Sequence, residues 1–465
     1  MIRLDLPRIQ GFVVRGYRLP FAGYLFLNIE DAAAAAAWIA EITEDVLTAA
    51  PWSRKPDSGV NIAFSYAGLC ALELPDAGLA GFPEEFRQGM AARAKLLGDD
   101  GDSAPEHWEA PFGTPVVHVL VMISAMSPEA LEAHDRQLRA RIEQIQGLNI
   151  VYDQVGSALA GGAEHFGYAD GFAQPSIEGS GVPSLPGQGA IAGGGRWRPI
   201  RPGEFILGYP DEEGVLPPAP PPAELSTNGS YLVYRKLHQD TATFRKQLAQ
   251  AAETYPGGEE LLAAKIVGRW RDGTPLAVSP ERPDPAIAAD EQRNNAFSYG
   301  EDPDGMACPV GAHVRRANPR DSMPFEGKLV NRHRLIRRGI PYGEELPPGA
   351  EDDGRDRGVI FMCLQASIAR QFEFVQSEWF NAGNSFGLGA DQDLMLGPQD
   401  GSPPDAPGAG NGSAEDKMKM TVPGRPPFFV GPLSRVVSTR GGEYFFVPGI
   451  NGLGYLSAAA GGGVA

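Results

Sequence analysis

The chain of 465 residues is poor in cysteine, with only Cys70, Cys308 and Cys363. Three widely spaced thiols cannot build a disulfide framework, and their odd number suits a reducing compartment. Positive charge is also scarce: 40 Lys and Arg against 58 Asp and Glu leave a net charge of −18. Such a surface repels phosphate backbones and anionic lipid, so nucleic acid and membrane are not expected partners. No run reaches the ~18 apolar residues of a membrane span. Arg3, Asp5 and Arg8 interrupt the N-terminal stretch, leaving no room for the apolar core of a signal peptide, and the expected location is the cytoplasm. What remains is an ordinary globular composition, long enough for a large core or two domains.

Histidine is sparse too, and none of the seven stands at zinc spacing from a second His or Cys. There is no P-loop, C-x-x-C-H haem attachment or Ser nucleophile elbow. Attention turns to residues 308–343, CPVGAHVRRANPRDSMPFEGKLVNRHRLIRRGIPYG. His313 follows Gly311 and Ala312, two small residues that let the backbone lie close to a flat ligand. Arg315, Arg316 and Arg320 around it could neutralise anionic groups such as propionates. That set suits the axial ligand of a haem iron better than a zinc site. Cys308, in a Cys-Pro pair, is the rival ligand as a thiolate.

A second stretch, HFGYADGFAQPSIEG at 165–179, holds Asp170 between Ala169 and Gly171, in a loop that can turn sharply and aim one carboxylate inward. The bland reading is a plain Asp-Gly turn. Arg337 cannot lose its proton and so is a fixed positive charge, although RHRLIRR also reads as a solvated basic run.

The two stretches together resemble the dye-decolorizing peroxidases. The motifs are Gly167-Tyr168-Ala169-Asp170-Gly171, then Ala312-His313-Val314-Arg315, then Arg337 before Ile340-Pro341-Tyr342-Gly343, with a further block at 357–381. The resemblance covers roughly residues 20 to 450. It implies a haem b peroxidase that reduces hydrogen peroxide and oxidises dyes, phenols or similar aromatic donors by one-electron steps. It implies His313 as the iron ligand, Asp170 as the base that moves the peroxide proton, and Arg337 as its cationic partner. Asp391 and Asp393 are both candidates for the carboxylate expected behind the His, and Asp393, in Asp393-Leu394-Met395-Leu396-Gly397, is the one that matches the family pattern. Some relatives carry Asn or Ser two residues after the Arg, where this chain has Gly339. Val359 and Phe361 alternate on one strand and could cover the haem, though core packing explains them equally well. Trp379 and Tyr342 are candidates for relaying electrons to donors too bulky to enter; core aromatics are the bland alternative. The rival function is a haem carrier, sensor or iron-releasing protein without turnover, which would need His313 but not Asp170.

Along the chain, strands are expected at 21–29, 115–124 and 148–157, a strand running into a short helix at 61–69, and helices at 32–49, 82–97 and 127–146. Ser127, Pro128 and first-turn acids mark the start of the last helix. The order strand, helix, strand, strand, helix, strand is that of a ferredoxin-like unit. A second pass places strands at 230–239, 357–365 and 442–448, with helices after the first two. The expected class is therefore α+β, with two ferredoxin-like units of antiparallel sheet and peripheral helices, as in dimeric α+β barrels. The division expected is 1–225, including the Asp170 loop and a Pro/Gly-rich connection, and 226–465, which binds the haem. Segment 398–427 and the tail SAAAGGGVA are expected to lack fixed structure.

Overall fold

A computed structural model describes residues 2–192, 196–324, 327–389, 391–397, 418–422, 424–430 and 434–459. Strand β1 (Phe21–Ile29) is followed by helix α1 (Ala32–Thr43), whose first turn is capped by Asp31 accepting from the Ala34 N–H. Then come β2 (Ser58–Phe64), β3 (Val119–Ala125), helix α2 (Pro128–Glu143) and β4 (Leu148–Ser157). Ser127 caps α2 as its sequence requires, accepting from the Ala130 N–H. In the second half, β5 (Ser230–Gln239) and helix α3 (Thr241–Ala252) precede two short strands, β6 (Ile336–Arg337) and β7 (Ile340–Tyr342). Strands β8 (Gly358–Gln365) and β9 (Val437–Val447) complete the nine-stranded antiparallel sheet.

The spatial order is β4-β1-β3-β2-β9-β5-β8, with β6 and β7 both on the outer edge of β8. Each half therefore repeats the arrangement fourth-first-third-second of a ferredoxin-like unit. The second half's missing strand is the pair β6 and β7, too short to stand out in the sequence. Phe446 and Phe64 form the single pair that joins the halves. At the far edges β4 meets β7: a Cβ on Gly156 would stand 2.5 Å from Ile340. The sheet thus curls into a barrel.

Aromatic side chains from both halves fill it. Phe26 packs edge-on to Tyr234 at 4.9 Å and to Phe112 at 5.0 Å between ring centroids. Each fully buried Phe contributes roughly 1.5–3 kcal/mol by leaving water, so this shared core ties the halves together.

Several expectations are corrected. The helix expected over 32–49 stops at Thr43. The one expected over 82–97 breaks into short pieces because Gly89 takes a left-handed φ of +76°, where its N–H still bonds the Glu85 carbonyl. Ser457, Ala458 and Ala459 of the tail belong to a helix, Ile450–Ala459, while 460–465 lie outside the described residues. Of segment 398–427, residues 398–417 and 423 also lie outside them; Met418–Met420 pairs with Phe428–Val430. No helix among the described residues is long and apolar enough to cross a membrane.

Candidate active site

His313 opens a five-residue helix, His313–Ala317, that follows the buried Ala312. Its Nδ1 lies 3.1 Å from Oδ2 of Asp393, and its ring stacks on Phe380 at 5.0 Å with the planes 4° apart. Asp393 is buried, and its other oxygen accepts from the N–H groups of Met395 (3.0 Å) and Leu396 (2.8 Å). Burial pushes its carboxyl up, but His313, Arg316 and the Leu396 N–H outweigh it and hold it below the ordinary carboxylate range. The imidazole is thus fixed in orientation, and its Nε2 makes no hydrogen bond among the described residues.

Cys308 is not poised to compete. It is buried, and burial pushes its thiol up to about 11, so the thiolate is disfavoured.

Two of the three arginines named near His313, Arg315 and Arg316, do not act as the sequence suggested. Arg315 is held by Asp302 and the Cys308 carbonyl, and it stacks 4.4 Å over Tyr299. Arg316 donates to the carbonyls of Gly311, Trp379, Ala382 and Asp391. Both are structural, because a guanidinium this buried needs several acceptors. Gly311 is not held to glycine by space either: an added Cβ would meet its neighbours at 3.5 Å, an ordinary contact.

The cations left over are Arg269, Arg320 and Arg334, all buried and none in an ion pair among the described residues. Burial, Arg320 and Arg337 push Arg334 down to about 9, so it stays charged at neutral pH with a single 3.3 Å bond to the Gln188 carbonyl. Arg269 and Arg320 donate to backbone and Asn295 oxygens, as Arg316 does to carbonyls, but no carboxylate balances the charges of Arg269, Arg320 and Arg334 among the described residues. Buried cations of this kind, with an imidazole nitrogen free to ligate, are what a haem with two acidic side chains requires. The donor set fits the group. Arg334 went unnoticed in the sequence, although it stands three residues before Arg337.

The Asp170 loop faces a cavity of about 730 Å³, lined among others by Asp170, Arg337, Val359 and Phe361. His313 is not part of this lining. Asp170 Oδ1 lies 3.2 Å from Arg337 Nη1. The Asp170 side chain is 59% exposed, but to this cavity; enough protein surrounds it for burial to be the largest influence on its carboxyl. That influence raises it, yet the charge and hydrogen bond of Arg337, the Gly171 N–H and His313 together bring it below the ordinary range.

Strand β6 holds Arg337. Its N–H donates to Gln174 Oε1 at 3.0 Å, and its Nη2 donates to the Phe172 carbonyl at 2.9 Å. Gln174 was not singled out in the sequence, though it lies just past the Asp-Gly pair. Arg338 donates to the Phe12 carbonyl and has no bond to Asp170, although it lines the same cavity as Arg337, which alternation in an extended segment did not predict. At Gly339 a Cβ would stand 2.5 Å from the Ile360 carbonyl. The close approach to β8 leaves no room there for Asn or Ser.

Trp379 and Tyr342 are 2% and 3% exposed, so neither ring reaches bulky donors directly. Trp379 sits at the end of a π-helical stretch, Ala369–Glu373 and Val375–Phe380, beside Phe374 and His333. The Tyr342 hydroxyl donates to Asp356 Oδ1 at 3.0 Å.

Known proteins are similar to this chain in sequence and fold. The DyP dimeric alpha+beta barrel domain matches residues 8–156, and the C-terminal domain of Dyp-type peroxidases matches 215–386. A dye-decolorizing peroxidase of Mycena epipterygia is 32% identical over 98% of this chain and 88% of its own. The structure of an ancestral D-type dye decolorizing peroxidase superposes with a TM-score of 0.82 at 31% identity, covering 97% of this chain and 99% of that one. A dye-decolorizing peroxidase in complex with 2,6-dimethoxyphenol superposes at 0.80 with 28% identity, over 98% and 100% of the two chains. With its fold, its haem-compatible donor set and relatives alike over nearly the whole length, the chain belongs to the dye-decolorizing peroxidases, which are haem-dependent enzymes.

Proposed function

We propose that His313 ligates the iron of a non-covalently held haem b, that Asp170 is the general base, and that Arg337 is its electrostatic partner. The observation that carries this reading is the Asp170–Arg337 pair, 3.2 Å apart on the wall of a cavity. The haem, when bound, supplies the redox chemistry that reduces hydrogen peroxide and draws single electrons from aromatic donors. Asp170, ionised, takes the proton from peroxide at its carboxylate and returns it to the departing oxygen. Arg337 keeps that carboxylate ionised and offers N–H groups to the negative charge that develops. Asp393 holds the His313 Nδ1 proton, which leaves Nε2 as the donor nitrogen and makes it more basic. Arg269, Arg320 and Arg334 balance the acidic side chains, and Val359 and Phe361 form the wall beside Asp170. Trp379 and Tyr342 pass electrons inward from donors that cannot enter.

We further divide the chain at 1–225 and 226–465, with the base supplied by the first part and the iron ligand by the second. The three free thiols favour a reducing compartment, hence the cytoplasm. The test is Asp170→Asn, which keeps size and removes the base. Mixed rapidly with peroxide, this variant should react ~100- to 10,000-fold more slowly with its haem content unchanged. A wild-type rate would refute the assignment, and no reaction by either protein would favour a carrier.

A further inference from the structure

The cavity is far larger than peroxide needs, and it runs from Asp170 to a mouth built by residues 15–20 and by Glu291. Arginines line it unevenly. Arg337 faces Asp170, and Arg18 pairs with Glu291 at 2.7 Å across the mouth. Arg15 and Arg338 have no carboxylate partner among the described residues. Arg15 donates to the Ala49 carbonyl, and Arg338 to the carbonyls of Phe12 and Arg337. Both act electrostatically on the Tyr17 phenol, so they stand on one wall. A chain with a net charge of −18 has carboxylates to spare, yet none is placed against these two. The Arg18–Glu291 pair has side chains 80% and 55% exposed, and such pairs are weak enough to exchange partners. Tyr17, Leu19 and Pro183 add apolar wall beside the charges.

We infer that this mouth is a binding site for anionic aromatic donors, such as carboxylated or sulfonated phenols. Arg15 and Arg338 supply the positive charge, and Arg18 joins them when it releases Glu291. The donor's ring lies against Tyr17 and the apolar wall, while its anion takes the place that no protein carboxylate fills. This rests on the reading of Asp170 and Arg337 as the peroxide site, since the same cavity serves both.

The test compares 2,6-dimethoxyphenol with 4-hydroxy-3,5-dimethoxybenzoate, the same phenol carrying a carboxylate that is ionised at neutral pH. Binding to the haem-loaded enzyme is measured by calorimetry without peroxide, and KM for each donor is measured with it. Arg15→Gln should weaken the benzoate relative to the phenol by about tenfold, the loss of one charge-assisted hydrogen bond. Glu291→Gln frees Arg18 and should shift the ratio the other way. Raising salt should weaken the benzoate more than the phenol. Glu291 is exposed, so its replacement does not threaten folding and keeps the test decisive if Arg15→Gln fails to fold. An affinity ratio unmoved by Glu291→Gln, or moved in the direction expected of Arg15→Gln, overturns the proposal. So does a slower peroxide reaction in Arg15→Gln, which would assign that arginine to the peroxide step. Failure of the Asp170 reading would instead appear as a wild-type peroxide rate in Asp170→Asn, with the calorimetric ratio unaffected.

Discussion

Asp393 and Asp170 both titrate below the ordinary carboxylate range, against burial that would raise them, yet their surroundings differ. Asp393 has a side chain 1% exposed, with its oxygens taken by an imidazole and two backbone N–H groups. Asp170 faces an open cavity, and its ion pair is with the single cation Arg337. The first carboxylate is locked in one state by many partners and suits a fixed support. The second has spare acceptor capacity and one strong influence on its charge, which suits a group that must pick up and release a proton. Similar carboxyl shifts therefore serve opposite ends, and the difference lies in how many bonds a proton would have to break.

The largest effect should come from removing the group that Asp393 supports. His313→Ala should lose most haem, read from the Soret absorbance per protein, because no second ligand is poised; an unchanged spectrum would revive Cys308. Next is Asp170→Asn, with its ~100- to 10,000-fold slower peroxide reaction. Asp393→Asn should act only through His313, at about 10- to 100-fold in haem affinity or rate, which is typical for a group behind a metal ligand. If it equals His313→Ala, the contrast between support and ligand collapses.

The pH dependence sharpens the comparison further. A base with a lowered pKa stays ionised to lower pH, so the peroxide rate should hold through the ordinary carboxylate range. It should fall only as pH drops below that range. Arg337→Leu removes the main lowering influence and leaves burial, so the acid limb should move to higher pH. An acid limb that stays in place would separate Asp170 from the rate. The smallest effects belong to the buried aromatics. Trp379→Phe or Tyr342→Phe should slow bulky dyes more than small phenols, and an equal loss on both would mean that the rings only pack.

Much of the site could be read from residues near each other in sequence. The Asp-Gly loop, the His in its short helix and the Arg before Ile340-Pro341 each keep their context within a few residues. The Ser127 cap is local as well, and it formed where expected. The second half's split strand was not legible, because two- and three-residue strands carry no period of their own. They exist only because β8 offers its edge, and Arg337 rides on one of them.

The sequence by itself determined the alternation and caps that make two ferredoxin-like halves, and the types of residue that can ligate, donate and stay charged. Tertiary structure alone decided which charges were left uncompensated. Arg315 and Arg316, adjacent to the His, are consumed by carbonyls, while Arg334 and the distant Arg15 stand without a carboxylate. The physical reason is that a buried cation's role depends on which acceptors the folded chain brings within hydrogen-bond reach. Here some of those acceptors come from segments more than a hundred residues away, as Gln188 does for Arg334 and Phe12 for Arg338.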